Sequence, residues 1–113
     1  MVNTIEVKKT GDIVIVSIVE RFDSATAPDA EKAFLKLLES GEKRFVCDFS
    51  GTIYVASAGM RVLLMAAKTV SRSGGKVAFC SLTPGVRKVF EIAGFTQIFP
   101  VFTTCDEAVT ALA

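Results

Sequence analysis

The residues of this chain best suited to chemistry surround Ser57, which opens a long apolar stretch of helical spacing. Small residues flank it, Ala56 on one side and Ala58 and Gly59 on the other, and they leave its hydroxyl sterically open. A helix N-terminus presents free N–H groups and the positive end of the helix dipole, and both favour an anion. Such a serine either caps the helix or carries a phosphate group, and the pattern alone leaves both interpretations open.

The rest of the composition argues against catalysis by this chain. It contains no histidine, so it cannot build a Ser-His-Asp triad, a Cys-His pair or a His-ligated zinc site. Neither a GxxxxGK[ST] nor a GxGxxG phosphate loop occurs. Val55 stands where a nucleophile elbow around Ser57 would need glycine. We therefore predict a protein that is not an enzyme and that uses no cofactor.

The three cysteines, Cys47, Cys80 and Cys105, are widely spaced and odd in number. They do not form a disulfide framework, and no CxxC pair is present. Cys47 and Cys80 lie in apolar runs of strand character, which predicts buried small hydrophobic residues rather than redox or metal-binding groups. No metal site is predicted.

Length and charge indicate one soluble domain, residues 1–113. Thirteen basic and twelve acidic residues are scattered without a basic block, so we expect neither direct nucleic-acid binding nor membrane binding. The longest uninterrupted apolar run, 62–67, is far shorter than a membrane span, and the polar residues 1–10 lack the features of a signal peptide. We expect a cytoplasmic protein that is a monomer or a weak homodimer.

Helical and strand patterns alternate along the chain in the order β-β-α-β-α-β-α-β-α. Strands are predicted at 5–7, 13–19, 44–49 and 76–80, with a last short edge strand within 95–102. Helices are predicted from the N-cap Thr26 to about Ser40, at 58–72, at 84–92, and after the capping box of Thr104 and Glu107. The expected fold is α/β, with a mixed sheet of four to five strands and about four helices.

Asp23 and Ser24 extend the candidate site beyond Ser57. They follow the second predicted strand and would lie beside Ser57 if the relevant strands were neighbours, whereas the simpler interpretation is a turn. In the helix 58–72, Met60 belongs to the apolar stripe, and Met65 lies among cations on the opposite stripe. A methionine in that position is either a tolerated surface residue or part of a protein interface.

The order and spacing of these segments resemble a stand-alone STAS domain of the anti-sigma factor antagonist type. The resemblance covers nearly the whole chain. It rests on Asp23 and on the segments 45–50, 56–64, 75–77, 83–90, 93–95 and 107–108.

The resemblance implies that Ser57 is phosphorylated by a partner that is both an anti-sigma factor and a serine kinase of the GHKL type. The unmodified antagonist would bind this partner and release the sigma factor. The phosphorylated form would not bind, and a PP2C-type phosphatase would restore it. The residues that the resemblance and the pattern together assign to partner binding are Asp23, Ser24, Ala56, Ser57, Gly59, Met60 and Arg61.

One position departs from the family pattern: Ala56 stands where many members carry aspartate, in Asp-Ser-Ser-Gly or Asp-Ser-Ala-Gly. This residue favours an alternative function, that of a STAS adaptor or scaffold in a larger signalling or transport assembly, without a phosphorylation cycle. A small-molecule-binding STAS domain ranks below both, because the sequence shows neither a phosphate loop nor a polar pocket.

Overall fold

Strands and helices alternate along residues 5–113, the part of the chain that the computed structural model describes. The strands lie at Glu6–Thr10 (β1), Ile13–Ser17 (β2), Arg21–Phe22 (β3), Arg44–Asp48 (β4), Tyr54–Val55 (β5), Lys76–Cys80 (β6) and Val101–Phe102 (β7). The helices lie at Ala27–Glu39 (α1), Ser57–Arg72 (α2), Pro84–Ile92 (α3), Phe95–Ile98 (α4) and Cys105–Leu112 (α5).

Five strands form one mixed sheet in the order β1-β2-β4-β6-β7. β1 and β2 are antiparallel and are joined by a tight turn in which Gly11 has φ +58°, a conformation that favours glycine. The pairs β2–β4, β4–β6 and β6–β7 are parallel, as helical crossovers require. The mixed α/β sheet and the edge position of the last strand are therefore confirmed, with five helices instead of about four.

The sheet has a different helical layer on each face. Alternate residues of β2, β4 and β6, including Val16, Phe45 and Phe79, join a core with α1, α2, α3 and α4. The intervening residues, including Val46 and Cys80, pack beneath α5 in a second core. This alternation is the period of two that a strand imposes on its side chains. Within residues 5–113, every helix falls short of the length and apolar character that a membrane span needs.

Three short elements lie where the sequence predicted none. β3 lies between the second predicted strand and the N-cap Thr26, β5 ends two residues before Ser57, and α4 occupies the first half of the segment predicted to hold only a strand, 95–102. The second strand also ends at Ser17 and not at residue 19. A strand of two residues or a helix of one turn is too short to show a periodic pattern, so these elements had no signal in the sequence.

Candidate functional site

The small parallel ribbon formed by β3 and β5 determines where Ser57 lies. Phe22 pairs with Val55, and the N–H of Ala56 donates to the carbonyl oxygen of Phe22 at 2.9 Å. Asp23 directly follows Phe22 and Ser57 directly follows Ala56, so the ribbon brings the two segments together at one end. The strand that precedes Asp23 and Ser24 is β3, not the longer second strand to which the sequence assigned them.

Ser57 is the first residue of α2 and not its N-cap, so the prediction of a serine cap is wrong. Ala56 is the N-cap, with an extended backbone (φ −95°, ψ 172°), and its carbonyl oxygen accepts from the N–H of Met60 at 3.1 Å. Alanine has no side-chain acceptor for the first N–H groups of the helix. The first turn of α2 also contains no acidic residue. Ser57 is exposed at this electropositive helix end.

Gly59 and Met60 lie beneath the surface and hold α2 in place. A Cβ atom on residue 59 would lie 2.7 Å from the carbonyl oxygen of Phe22, so only glycine lets the helix approach β3 this closely. Met60 is 8% exposed and belongs to the larger core. Both residues therefore position Ser57 in the free domain, and their assignment to partner binding stays a prediction. Met65 is half-buried against the same core and is not fully exposed.

The loop between β4 and β5 is anchored by Thr52, whose importance the sequence did not indicate. Thr52 is fully buried, and its hydroxyl donates to the carbonyl oxygen of Val19 at 2.9 Å. The hydroxyl of Thr83 in turn donates to the carbonyl oxygen of Thr52 at 3.1 Å. A backbone hydrogen bond from Ile53 to Glu20 adds a further attachment, at 2.8 Å. These bonds fix the segment that leads into Ser57.

Asp23 organises the turn that faces the start of α2. Its Oδ1 accepts from the N–H groups of Ala25 and Thr26, at 3.0 and 3.3 Å. The hydroxyl of Thr26 donates to the carbonyl oxygen of Arg21 at 2.7 Å and accepts from the N–H of Asp23 at 3.0 Å. The turn interpretation of Asp23 is therefore correct as local structure, and it leaves the carboxylate partly exposed, with Oδ2 4.0 Å from Nε of Arg21.

Two exposed apolar residues, Ile53 and Tyr54, lie shortly before Ser57 in the chain. Ile53 and Tyr54 are 60% and 43% exposed, so two consecutive large apolar side chains meet solvent. The guanidinium of Arg21 lies 4.7 Å from the centre of the Tyr54 ring and fixes it by a cation–π contact.

A groove of 320 Å³ runs between the first turns of α1 and α2, next to Ser57. Ser24 and Glu31 line one side and Ala58 and Arg61 line the other. The structure thus brings Ser24 and Arg61, two of the predicted binding residues, to one concave surface. This surface can hold a polar or charged side chain of a partner between residues of opposite charge.

Cys47 and Cys80 are buried, as predicted, and are 2% and 0% exposed. Burial, followed by the nearby charge of Asp48, raises the pKa of the Cys47 thiol to about 12. Burial likewise raises the pKa of Cys80, and the adjacent Cys105 thiol, toward which Cys80 is the donor, is the next cause. Neither thiol is therefore an activated nucleophile.

Comparison with protein families and with known proteins agrees with this architecture. The family model described as STAS domain matches residues 4–108. BtrV of Bordetella bronchiseptica, a candidate anti-sigma factor antagonist by its name, is 37% identical over 103 residues, which cover 91% of this chain and 89% of that protein.

Solved structures show the same fold. A candidate anti-sigma factor antagonist from Thermotoga maritima superposes with a TM-score of 0.89 at 23% identity, covering 96% of this chain and 93% of the other. The Bacillus cell fate determinant SpoIIAA in its phosphorylated form superposes with a TM-score of 0.79 at 16% identity, covering 97% and 100% of the two chains. At these identities, the superpositions establish the fold alone.

Proposed function

The chain belongs to the STAS domain family, and we propose on this basis that it is an anti-sigma factor antagonist. Its unmodified form binds an anti-sigma factor that is also a serine kinase of the GHKL type, and this binding releases the sigma factor. Phosphorylation of Ser57 prevents binding, and a PP2C-type phosphatase reverses it. The observation that carries the proposal is the exposed Ser57 at an α2 N-terminus without a side-chain cap or an acidic first turn.

In this cycle the partner supplies the chemistry. A kinase provides ATP, Mg²⁺ and the residue that accepts the hydroxyl proton, so the substrate needs only an accessible hydroxyl in a defined position. Ser57 meets this requirement, because Gly59 and the ribbon fix the start of α2 while the hydroxyl stays at the surface. We place this exchange in the cytoplasm.

The surface around Ser57 fits a protein partner. Ile53 and Tyr54 offer exposed apolar area beside the serine, and the groove with Arg61 offers a charged contact on the other side. Interfaces typically combine an apolar centre with a polar rim and bury about 800 Å² on each partner. Asp23 and Ser24 lie at the edge of this surface and complete it.

A phosphate on Ser57 has opposite effects on the fold and on the complex. It adds about −1.5 to −2 charges at neutral pH. At the N-terminus of α2 this charge stabilises the free domain by roughly 0.3–1 kcal/mol. Inside a packed interface the same group must lose its water, and a loss of about 2.8 kcal/mol there weakens binding about hundredfold. The domain therefore stays folded while the complex dissociates.

Charge substitutions at the two ends of α2 test the proposal. Ser57→Asp is expected to fold normally and to bind the cognate anti-sigma factor at least tenfold more weakly, as measured by calorimetry. Ser57→Ala is expected to bind the anti-sigma factor and to keep this binding after incubation with the kinase and ATP. Ser71→Asp is the control, because this exposed serine lies about 21 Å away on the same helix. Unchanged binding of Ser57→Asp, or phosphorylation at another residue only, would refute the switch.

A second candidate function is a STAS adaptor that binds its assembly without phosphorylation, and Ala56 favours it. The missing carboxylate at this position removes a negative charge next to the acceptor serine. Against this, the ribbon places the carboxylate-bearing Asp23 segment beside Ala56. Stable co-purification of a partner with Ser57 unmodified under all growth conditions would support the adaptor. Phosphate on Ser57 in cell extracts would support the switch.

A further inference from the structure

Two thiols and one carboxylate from distant parts of the chain converge at one end of the main sheet. Asp48 ends β4, Cys80 ends β6 and Cys105 opens α5. Their ligand atoms, one from each side chain, all lie within 4.8 Å of one another. This thiol–carboxylate cluster lies on the sheet face opposite to the one that α2 covers.

The register of the sheet explains this convergence. Asp48 pairs with Cys80 across the parallel strands β4 and β6, so both side chains project from the same face. The same face carries Val46, and α5 packs on it. Cys47 points to the opposite face and joins the core beneath α1 and α2. Two of the three cysteines are thus brought to the carboxylate, and the third is kept away from it.

We propose that Asp48, Cys80 and Cys105 form a binding site for a zinc ion. For three atoms this close together, a single point lies within about 2.8 Å of each, and zinc bonds to sulfur and oxygen are about 2.0–2.3 Å long. Small side-chain rotations therefore suffice to complete the site. Two thiolates select zinc over calcium or magnesium, which prefer oxygen ligands alone. A water molecule takes the fourth position.

The groups around the cluster hold it in place. Oδ1 of Asp48 accepts from the N–H of Ser50 at 3.0 Å, which orients the carboxylate. Ser81 follows Cys80 directly and has φ +59°, a left-handed conformation that is uncommon for a residue with a side chain. The hydrogen bond from Ser50 fixes the orientation of a carboxylate that would ligate the metal, and strained backbone such as that of Ser81 is concentrated at functional positions.

The carboxylate of the cluster is open to solvent. Asp48 lines an open groove of 160 Å³ that also contains Glu6 and Glu20, so an ion from solvent meets the carboxylate of the cluster first. Asp48 and Cys105 are both only partly buried, whereas Cys80 is fully buried. Binding would release the two thiol protons to solvent and would link α5 to the sheet.

The test uses the full, reduced chain without metal and requires no partner protein, so its outcome is independent of the proposed antagonist role. Co²⁺ is added as a spectroscopic probe, followed by Zn²⁺ in competition. We expect one equivalent of Co²⁺ to give thiolate charge-transfer absorption and tetrahedral ligand-field bands, both removed by Zn²⁺. Cys105→Ser should weaken binding more than tenfold and reduce the charge-transfer band, and Asp48→Asn should weaken binding.

Cys47→Ala is the matched control, because this cysteine is buried next to Asp48 but faces the other core. It should bind the ion with unchanged affinity, and circular dichroism should show that each variant is folded. Metal binding that is unchanged in Cys105→Ser overturns the proposal. So does the absence of thiolate absorption in the wild-type protein, and so does a Cys80–Cys105 disulfide that forms while the reduced protein binds no metal.

Discussion

Gly59 and Phe22 approach so closely that a Cβ atom on residue 59 would lie 2.7 Å from the Phe22 carbonyl oxygen and 2.8 Å from its ring. The first turn of α2 therefore packs directly against β3. The position of Ser57 relative to the Asp23 turn therefore depends on a residue that has no side chain. Gly59 acts as a structural element of the site even though it is buried.

Replacement of Gly59 by alanine is expected to destabilise the domain. Overpacking against backbone costs about 1–3 kcal/mol, and the gain in helix propensity of about 1 kcal/mol offsets it only in part. Urea unfolding followed by circular dichroism measures the change. Gly85→Ala is the control, because a Cβ at this position in α3 would meet nothing within 4 Å. Equal stability of the two variants would show that the contact with Phe22 is not restrictive.

Introduction of a capping side chain at Ala56 is expected to stabilise the domain. Ala56 has the extended backbone of an N-cap but cannot accept from the first N–H groups of α2. Aspartate or asparagine at such a position typically adds about 1 kcal/mol relative to alanine. Ala56→Asp and Ala56→Asn should both raise the midpoint of urea unfolding. Added salt should reduce the increase for Ala56→Asp only, because salt screens the aspartate charge and asparagine is neutral. A decrease in both variants would contradict the assignment of Ala56 as the N-cap.

Loss of the Thr52 hydroxyl is expected to loosen the loop that leads to Ser57. Thr52→Val keeps the shape but removes the donor to the carbonyl oxygen of Val19, which should cost about 1–3 kcal/mol because that acceptor is buried. Thr52→Ser keeps the hydroxyl and should cost less. Equilibrium unfolding measures both, and amide hydrogen exchange of residues 50–56 should be faster in the valine variant. A larger loss in the serine variant would contradict this account.

Stability is expected to fall in alkaline solution because of Cys47. Burial raises the pKa of this thiol from 9.0 to about 12 in the folded chain. Above about pH 9 the unfolded chain loses the thiol proton while the folded chain keeps it, so the unfolding free energy falls by up to about 1.4 kcal/mol per pH unit. Below pH 9 the thiol is protonated in both states and has no effect.

Unfolding curves of the metal-free wild type and of Cys47→Ala between pH 7.5 and 10.5 measure how the Cys47 thiol changes the unfolding free energy with pH. The difference in unfolding free energy between the two proteins should be constant up to about pH 9 and should shrink above it. A difference that is constant over the whole range would show that Cys47 ionises equally in the two states.

The sequence by itself determined the type and order of the longer elements. The apolar spacing of α1 and α2, the β-branched run of β2 and the capping box of Thr104 and Glu107 are local patterns, and the structure contains each of them. The burial of Cys47 and Cys80 followed from the same patterns. Local energetics sufficed for these predictions, because propensity, capping and periodicity act within a few turns or strand residues.

The tertiary structure alone decided which of these segments meet. The ribbon that joins Phe22 to Val55, the contact of Gly59 with β3 and the approach of Cys105 to Cys80 all connect residues far apart in sequence. Such contacts depend on strand register and on the packing of whole layers, which no short sequence pattern encodes. Ser57 could be recognised in the sequence as a serine at a helix start, but its exposure and its neighbours follow from how the sheet and helices pack together.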